Sequence, residues 1–176
     1  MKLKKILTSP IFALSTICLI VALLLSSVNS FTAPRIAEQE AKKAEEAKQK
    51  VLPKGEAFTD VPLTDGMPSA IKSIYRAGNG EGYVFHMVVA GYKAGLQIMC
   101  GVDADGRITG ATYIASNETL DAEVGLGDRF VGHDKGSMTP EIVSGPTAKL
   151  TTSAYYRAIE AALEAFDMIE KEGGAK

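Results

Sequence analysis

The sequence contains no tryptophan, two histidines and two cysteines, and each shortage narrows what the chain does. His86 and His133 are too few imidazoles for a His-based metal site. Cys18 lies within an apolar N-terminal run and Cys100 far beyond it, so the two are expected neither to pair nor to build a metal-ligand cluster. Charge is nearly balanced, 19 Lys and Arg against 21 Asp and Glu, and the net charge of -2 lacks the basic excess a nucleic-acid partner needs. No acid–base dyad or activated nucleophile stands out, and no residue is assigned a catalytic role. At 176 residues there is room for one domain of about 120 residues plus an anchor.

What the chain does have is a long apolar run. Met1-Lys2-Leu3-Lys4-Lys5 is basic, and Pro10 to Val28 carries no charge and is rich in Ile, Leu, Val and Ala. Some 20 apolar residues at a rise of about 1.5 Å each cross a hydrocarbon core. The N-terminal lysines orient residues 1–8 toward the cytoplasm, with a transmembrane helix over 9–29 and the remainder outside the inner (plasma) membrane. A cleaved signal peptide is the alternative, with Ser26-Ser27-Val28-Asn29-Ser30 as its cleavage-like stretch, although signal-peptide apolar regions are usually shorter. A lipoprotein reading is weaker, because Ile17 rather than a small residue precedes Cys18.

Residues 30–53 read as a charged helical stalk. Pro34 suits a first helical turn, and 35–50 are rich in Ala, Glu, Lys and Gln. Glu38 with Lys42 and Glu46 with Lys50 are spaced for weak i,i+4 support, and Pro53 and Gly55 end the segment. The expectation is a solvated spacer without chemistry.

From residue 54 to 176 the pattern is that of an α+β domain, an antiparallel sheet packed by helices. Strands are expected over 69–77, Gly82 to Ala90, Gly95 to Val102 and Arg107 to Ala115. Asp103-Ala104-Asp105-Gly106 lacks the later ligands of a calcium loop and reads as a hairpin turn. Ser116 to Leu150 is rich in Gly, Thr, Ser and Asp with little periodicity, a length of loop that is usually functional or disordered. A helix from about Thr152 to Glu170 closes the chain, with Tyr156, Ile159, Leu163 and Phe166 at core-facing spacing and Gly173-Gly174 at its end.

Two clusters in the loop region are candidates for holding a ligand. The first is Glu118-Thr119 followed by Gly125-Leu126-Gly127, whose glycines let backbone amides approach a flat ring or a phosphate, or simply form a turn. The second is Ser144-Gly145-Pro146-Thr147-Ala148-Lys149-Leu150-Thr151-Thr152-Ser153, which leads into the last helix. Hydroxyls and free amides at a helix N-terminus suit an anion, with Lys149 adding charge, and they equally suit ordinary N-capping.

These residues resemble the G subunit of the Rnf-type ion-translocating ferredoxin–NAD oxidoreductase complex, and the C subunit of the sodium-translocating NADH–quinone reductase, which shares its flavin-binding domain. The resemblance covers nearly the whole chain. It runs from Val28-Asn29-Ser30-Phe31-Thr32-Ala33-Pro34-Arg35-Ile36 through Val51-Leu52-Pro53, Gly91-Tyr92-Lys93-Ala94-Gly95 and Val102-Asp103 to Ile108-Thr109-Gly110. The family's Glu-Thr-Pro-Gly-Leu-Gly is similar to Glu118-Thr119 with Gly125-Leu126-Gly127, its single Pro replaced here by Leu120 to Val124. The family's Ser/Thr-Gly-Ala-Thr, whose last Thr is esterified to FMN by a flavin transferase, resembles Ser144-Gly145-Pro146-Thr147.

The resemblance implies an FMN-binding domain with FMN held covalently through a phosphoester on Thr147. Thr151 and Thr152 stand in reserve, because Pro146 replaces the family's Ala and the family's following Thr-Ser is delayed to Thr152-Ser153. It implies an electron carrier in an ion-translocating complex, with other membrane subunits as partners and the transferase needed for maturation. A single span without an intramembrane charge after Lys5 forms no ion path by itself. Two further readings stay open: an anchored binding or assembly module without redox activity, and a flavin carrier of another extracytoplasmic electron-transfer chain.

Overall fold

The structure, a computed structural model, describes residues 10–118, 124–145 and 148–173, and the chain divides between Lys42 and Lys43 into two units. The basic residues on which the orientation rests, Lys2, Lys4 and Lys5, lie outside the described residues.

The first unit is helical. Helix α1 spans Pro10–Val51 and crosses the unit boundary. Its most apolar stretch has a mean hydropathy of 2.2 with no side chain buried, and it is long and apolar enough to cross a membrane. Four of its hydroxyls are satisfied along the helix itself: Thr16 donates to the Phe12 carbonyl, Ser27 to Leu23, Ser30 to Ser26 and Thr32 to Val28, all at 2.7 to 2.9 Å. That pattern gives each of these four hydroxyl donors a partner, so an apolar surrounding has none of them to penalise. Contrary to the expectation of a new helix at Pro34, α1 runs through that residue. Pro34 costs one backbone bond to the Ser30 carbonyl, and the strong helix formers that follow carry the helix past it.

The second unit is α+β, as expected. Five strands, β1 (Thr59–Val61), β2 (Ile71–Arg76), β3 (Gly82–Ala90), β4 (Ala94–Asp103) and β5 (Ile108–Ala115), form one sheet in chain order with every pair antiparallel. Asp103 Oδ1 closes the β4–β5 turn by accepting from the amides of Asp105 (3.0 Å) and Arg107 (2.8 Å), so the aspartate serves the turn. Among the described residues there is no cluster of metal-ligating side chains.

Both faces of the sheet are covered. Helix α2 (Lys149–Gly173) packs on one, with Ile159 and Leu163 against Phe85, Met87, Ile98 and Cys100. Small residues on α2, Ala154, Ala158, Ala162 and Ala165, are fully buried along with Tyr155, whereas Tyr156 is only partly buried. The other face packs on the end of α1: Ala47, Val51 and Leu52 bury against Ala77, Val84, Met99 and Ile114.

This second contact corrects the reading of 35–50 as wholly solvated. Gly101 and Gly110 are cross-strand partners, and together they make a flat slot for the last turn of α1. A Cβ on Gly110 would lie 2.9 Å from Val51 Cα, and one on Gly101 would press on the Val51 carbonyl. Thr109 Oγ1 donates to that same carbonyl at 2.5 Å. Lys48, buried to 6% exposure, sets its ammonium 3.6 Å above the Tyr75 ring and 2.7 Å from Glu45. The helix end approaches the sheet this closely because the sheet presents no side chain there.

Candidate functional site

The segment after β5 crosses the fold in two 3-10 helices, Leu126–Phe130 and Pro140–Val143. It is pinned to the sheet. Gly132 N–H donates to the Ile108 carbonyl (2.8 Å), and Ile108 N–H donates to the His133 carbonyl (2.9 Å). Phe130 is fully buried and stacks on Tyr155 with ring centroids 5.7 Å apart. Its described part is therefore ordered packing rather than free loop.

The Gly-Leu-Gly motif belongs to that packing. Gly125 is left-handed (φ 70°) at the start of the first 3-10 helix, a conformation that favours glycine. Leu126 is buried in the core at 4% exposure. Gly127 packs directly against the Ala111 carbonyl of β5, leaving no room for a Cβ. The side-chain positions of Leu126 and Gly127 face the protein and not a ligand. Close packing explains these two residues without a cofactor.

The two sequence clusters do converge elsewhere. Glu118, just past β5, sits between the β3–β4 turn and the first turn of α2. Its Oε2 accepts from the Thr151 hydroxyl at 2.6 Å and from the Tyr92 amide at 3.3 Å. Its Oε1 accepts from the Lys93 amide at 3.1 Å. Gly91 completes the junction: a Cβ there would lie 2.5 Å from Glu118 Oε1 and 3.2 Å from Thr151 Cα. Glu118 N–H donates to Ser116 Oγ at 3.1 Å, which fixes the backbone that presents the carboxylate. A negative group at the N-terminal turn of α2 is also favoured by the helix dipole.

The remaining candidates are placed as follows. Ser144 and Gly145 are exposed, just after the second 3-10 helix, where Ser144 N–H donates to the Glu141 carbonyl at 2.9 Å. Lys149 is exposed at the start of α2. Thr151 is buried to 1% exposure with its hydroxyl donated to Glu118. Thr152 donates its hydroxyl to the Lys149 carbonyl at 3.3 Å, and its amide donates to the carbonyl of Ala148, which has a φ of 52°. Thr119 and Thr147 lie outside the described residues, as do Pro146 and 120–123.

Sequence reasoning marked Glu118 and Thr151 separately and missed that they bond to each other. It also gave no role to the amides of Tyr92 and Lys93. The signal was present in Gly91-Tyr92-Lys93-Ala94-Gly95, a stretch that carries part of the family resemblance.

The fit of this region to a phosphate-linked flavin follows from its donors. Thr151 is buried and its proton is engaged, so it is poorly suited to become a phosphoester. Glu118 is turned wholly onto protein donors, and a carboxylate repels a phosphate. Among the described residues near the second cluster, Ser144, Gly145, Lys149 and Leu150 (62%) are exposed.

No family model matches the chain. Over 134 residues it is 35% identical to the G subunit of the Na(+)-translocating ferredoxin:NAD(+) oxidoreductase complex of Acetobacterium woodii, covering 68% of the chain. The chain is of the G-subunit type. The match spans 62% of the Acetobacterium protein, just under two thirds of its length. A G-type chain with one apolar N-terminal helix and an antiparallel sheet packed by helices agrees with the architecture read from the sequence.

Proposed function

We propose that this chain is a membrane-anchored electron carrier that bears FMN esterified to Thr147 and works as a subunit of an ion-translocating electron-transport complex. The observation that carries the proposal is the similarity to a subunit of a sodium-translocating ferredoxin:NAD(+) oxidoreductase. Supporting it are the apolar α1, long enough to anchor the chain, and the exposed Ser144-Gly145 segment leading to Thr147 ahead of α2. The domain would face outward and the N-terminal lysines the cytoplasm. Partner membrane subunits would deliver and accept the electrons.

Bound flavin supplies the redox chemistry, and the protein's part is to hold and tune it. Thr147 is a tether rather than a catalyst. Attachment forms a bond from Thr147 Oγ1 to the FMN phosphorus. A flavin phosphoanhydride donor, handled by a flavin transferase, loses its nucleoside monophosphate, which leaves with the hydroxyl proton. The net gain is FMN less one water. Ser144 and Gly145 give the transferase an unobstructed approach: both are exposed, and nothing lies within 4 Å of a Cβ placed on Gly145. A tether outside the cytoplasm keeps the cofactor from being lost.

The test is the intact mass of the full chain co-expressed with a flavin transferase in an exporting host, followed by peptide mapping. The expected result is a gain of FMN less water on the peptide containing Thr147, abolished in Thr147→Val. A folded, colourless and unmodified chain overturns the carrier reading and leaves an anchored binding or assembly module.

A further inference from the structure

We infer that Glu118 is a positioning residue, a carboxylate latch that fastens the first turn of α2 at Thr151, four residues after Thr147 in the sequence, to the β3–β4 turn and so supports flavin attachment. This rests on the reading of Thr147 as the acceptor, and it assigns Glu118 and Thr151 to the protein's own scaffold rather than to cofactor contact.

The geometry carries it. Thr147 is bracketed in the sequence by two points that the structure fixes. One is Val143, buried at 9% exposure as the last residue of the second 3-10 helix. The other is Thr151, buried at 1% and bonded to Glu118. Only Ala148, Lys149 and Leu150 separate Thr147 from Thr151 and its latch. The carboxylate is over-determined: donors from the β3–β4 turn and from α2, the amides of Tyr92 and Lys93 and the Thr151 hydroxyl, converge on its two oxygens. Gly91 allows the close approach, because a side chain there would press on the Glu118 carboxylate and crowd Thr151.

A bond whose acceptor is charged and whose donor is buried is among the stronger hydrogen bonds in a protein. Breaking it leaves a buried hydroxyl or a carboxylate short of a partner. The first turn of α2 then loses its tie to the sheet, and Thr147 loses one of the two fixed points that bracket it in the sequence. Positioning at this level governs how often the hydroxyl meets an incoming phosphorus in line.

The experiment uses the full chain in detergent with purified flavin transferase and flavin adenine dinucleotide. Attachment is read as initial rate per folded protein. Thr151→Val, which keeps the shape and removes the donor, is expected to slow attachment by more than about tenfold, and Thr151→Ser to restore it to within about twofold of wild type. Glu118→Ala is expected to do the same as Thr151→Val, and also to release hydrogen-exchange protection at the Tyr92 and Lys93 amides, which Thr151→Val leaves in place. Unmodified wild type sinks the acceptor reading itself. Wild type modified on Thr147, with folded Thr151→Val modified at an equal rate, overturns the latch alone. If Glu118→Ala does not fold, the Thr151→Val and Thr151→Ser pair still decides.

Discussion

At the scale of the residue, burial sets the chemistry of two side chains on the sheet. Cys100 is fully buried, and burial pushes its thiol up to about 12. The thiolate is the reactive form, so Cys100 is expected to resist an aromatic disulfide reagent at pH 8 until the domain unfolds, a difference read by titrating thiols with and without denaturant. His86 is held below the ordinary histidine value, first by burial and then by the positive charge of Lys48, with its contact to Gln97 (3.2 Å) opposing the shift. A lowered value in the folded state means the unfolded chain takes up the proton more readily. The stability owed to His86 is therefore present above about pH 6.5 and falls as pH drops below it. His86→Gln is expected to flatten the change in melting temperature between about pH 7 and 5. An unchanged slope would assign that acid sensitivity to other groups. Asp134, held below the ordinary carboxylate range by its bonds to Ser137, acts only at lower pH, so the two effects separate.

At the scale of the element, the glycine slot is the most exacting feature. Gly110→Ala places a methyl 2.9 Å from Val51 Cα and 3.0 Å from the Val51 carbonyl oxygen, contacts with backbone that cannot rotate away. The expected cost is about 1–3 kcal/mol, the usual range for overpacking. It would be seen as a lower guanidinium midpoint at unchanged slope, and Gly145→Ala, with open space around it, serves as the control. The longer strands were legible because turn chemistry brackets them; β3 runs over Gly82–Ala90, the span read from its β-rich run. β1 was not, since Thr59–Val61 is three residues with no alternation to read. The 3-10 helices were missed because each is about one turn long and held by long-range contacts such as Phe130 on Tyr155. The Glu118–Thr151 bond was invisible for a related reason: its partners are 33 positions apart, and neither carries a local pattern.

At the scale of the whole molecule, the division into anchor, stalk and domain needs a different boundary from the one composition suggests. Charge and helix formers place the stalk over 30–53, but the compact unit begins at Lys43. The reason is physical: the run of Ala, Glu and Lys hides a short apolar stripe of Ala44, Ala47 and Val51, which matters only because the sheet has an apolar face with a glycine slot to receive it. Without that stripe and Leu52, the face carrying Val84, Met99 and Ile114 opens to water. Val51 and Leu52, each 1% exposed, together contribute about 3–6 kcal/mol by burial, against a total stability of about 5–15 kcal/mol for a domain. A fragment beginning at Lys43 is therefore expected to melt cooperatively, with dispersed proton resonances. A fragment beginning at Lys54 is expected to melt broadly or not fold at all. Equal melting of the two would mean that the end of α1 rests on the sheet without stabilising it, and the domain would then begin where composition places it.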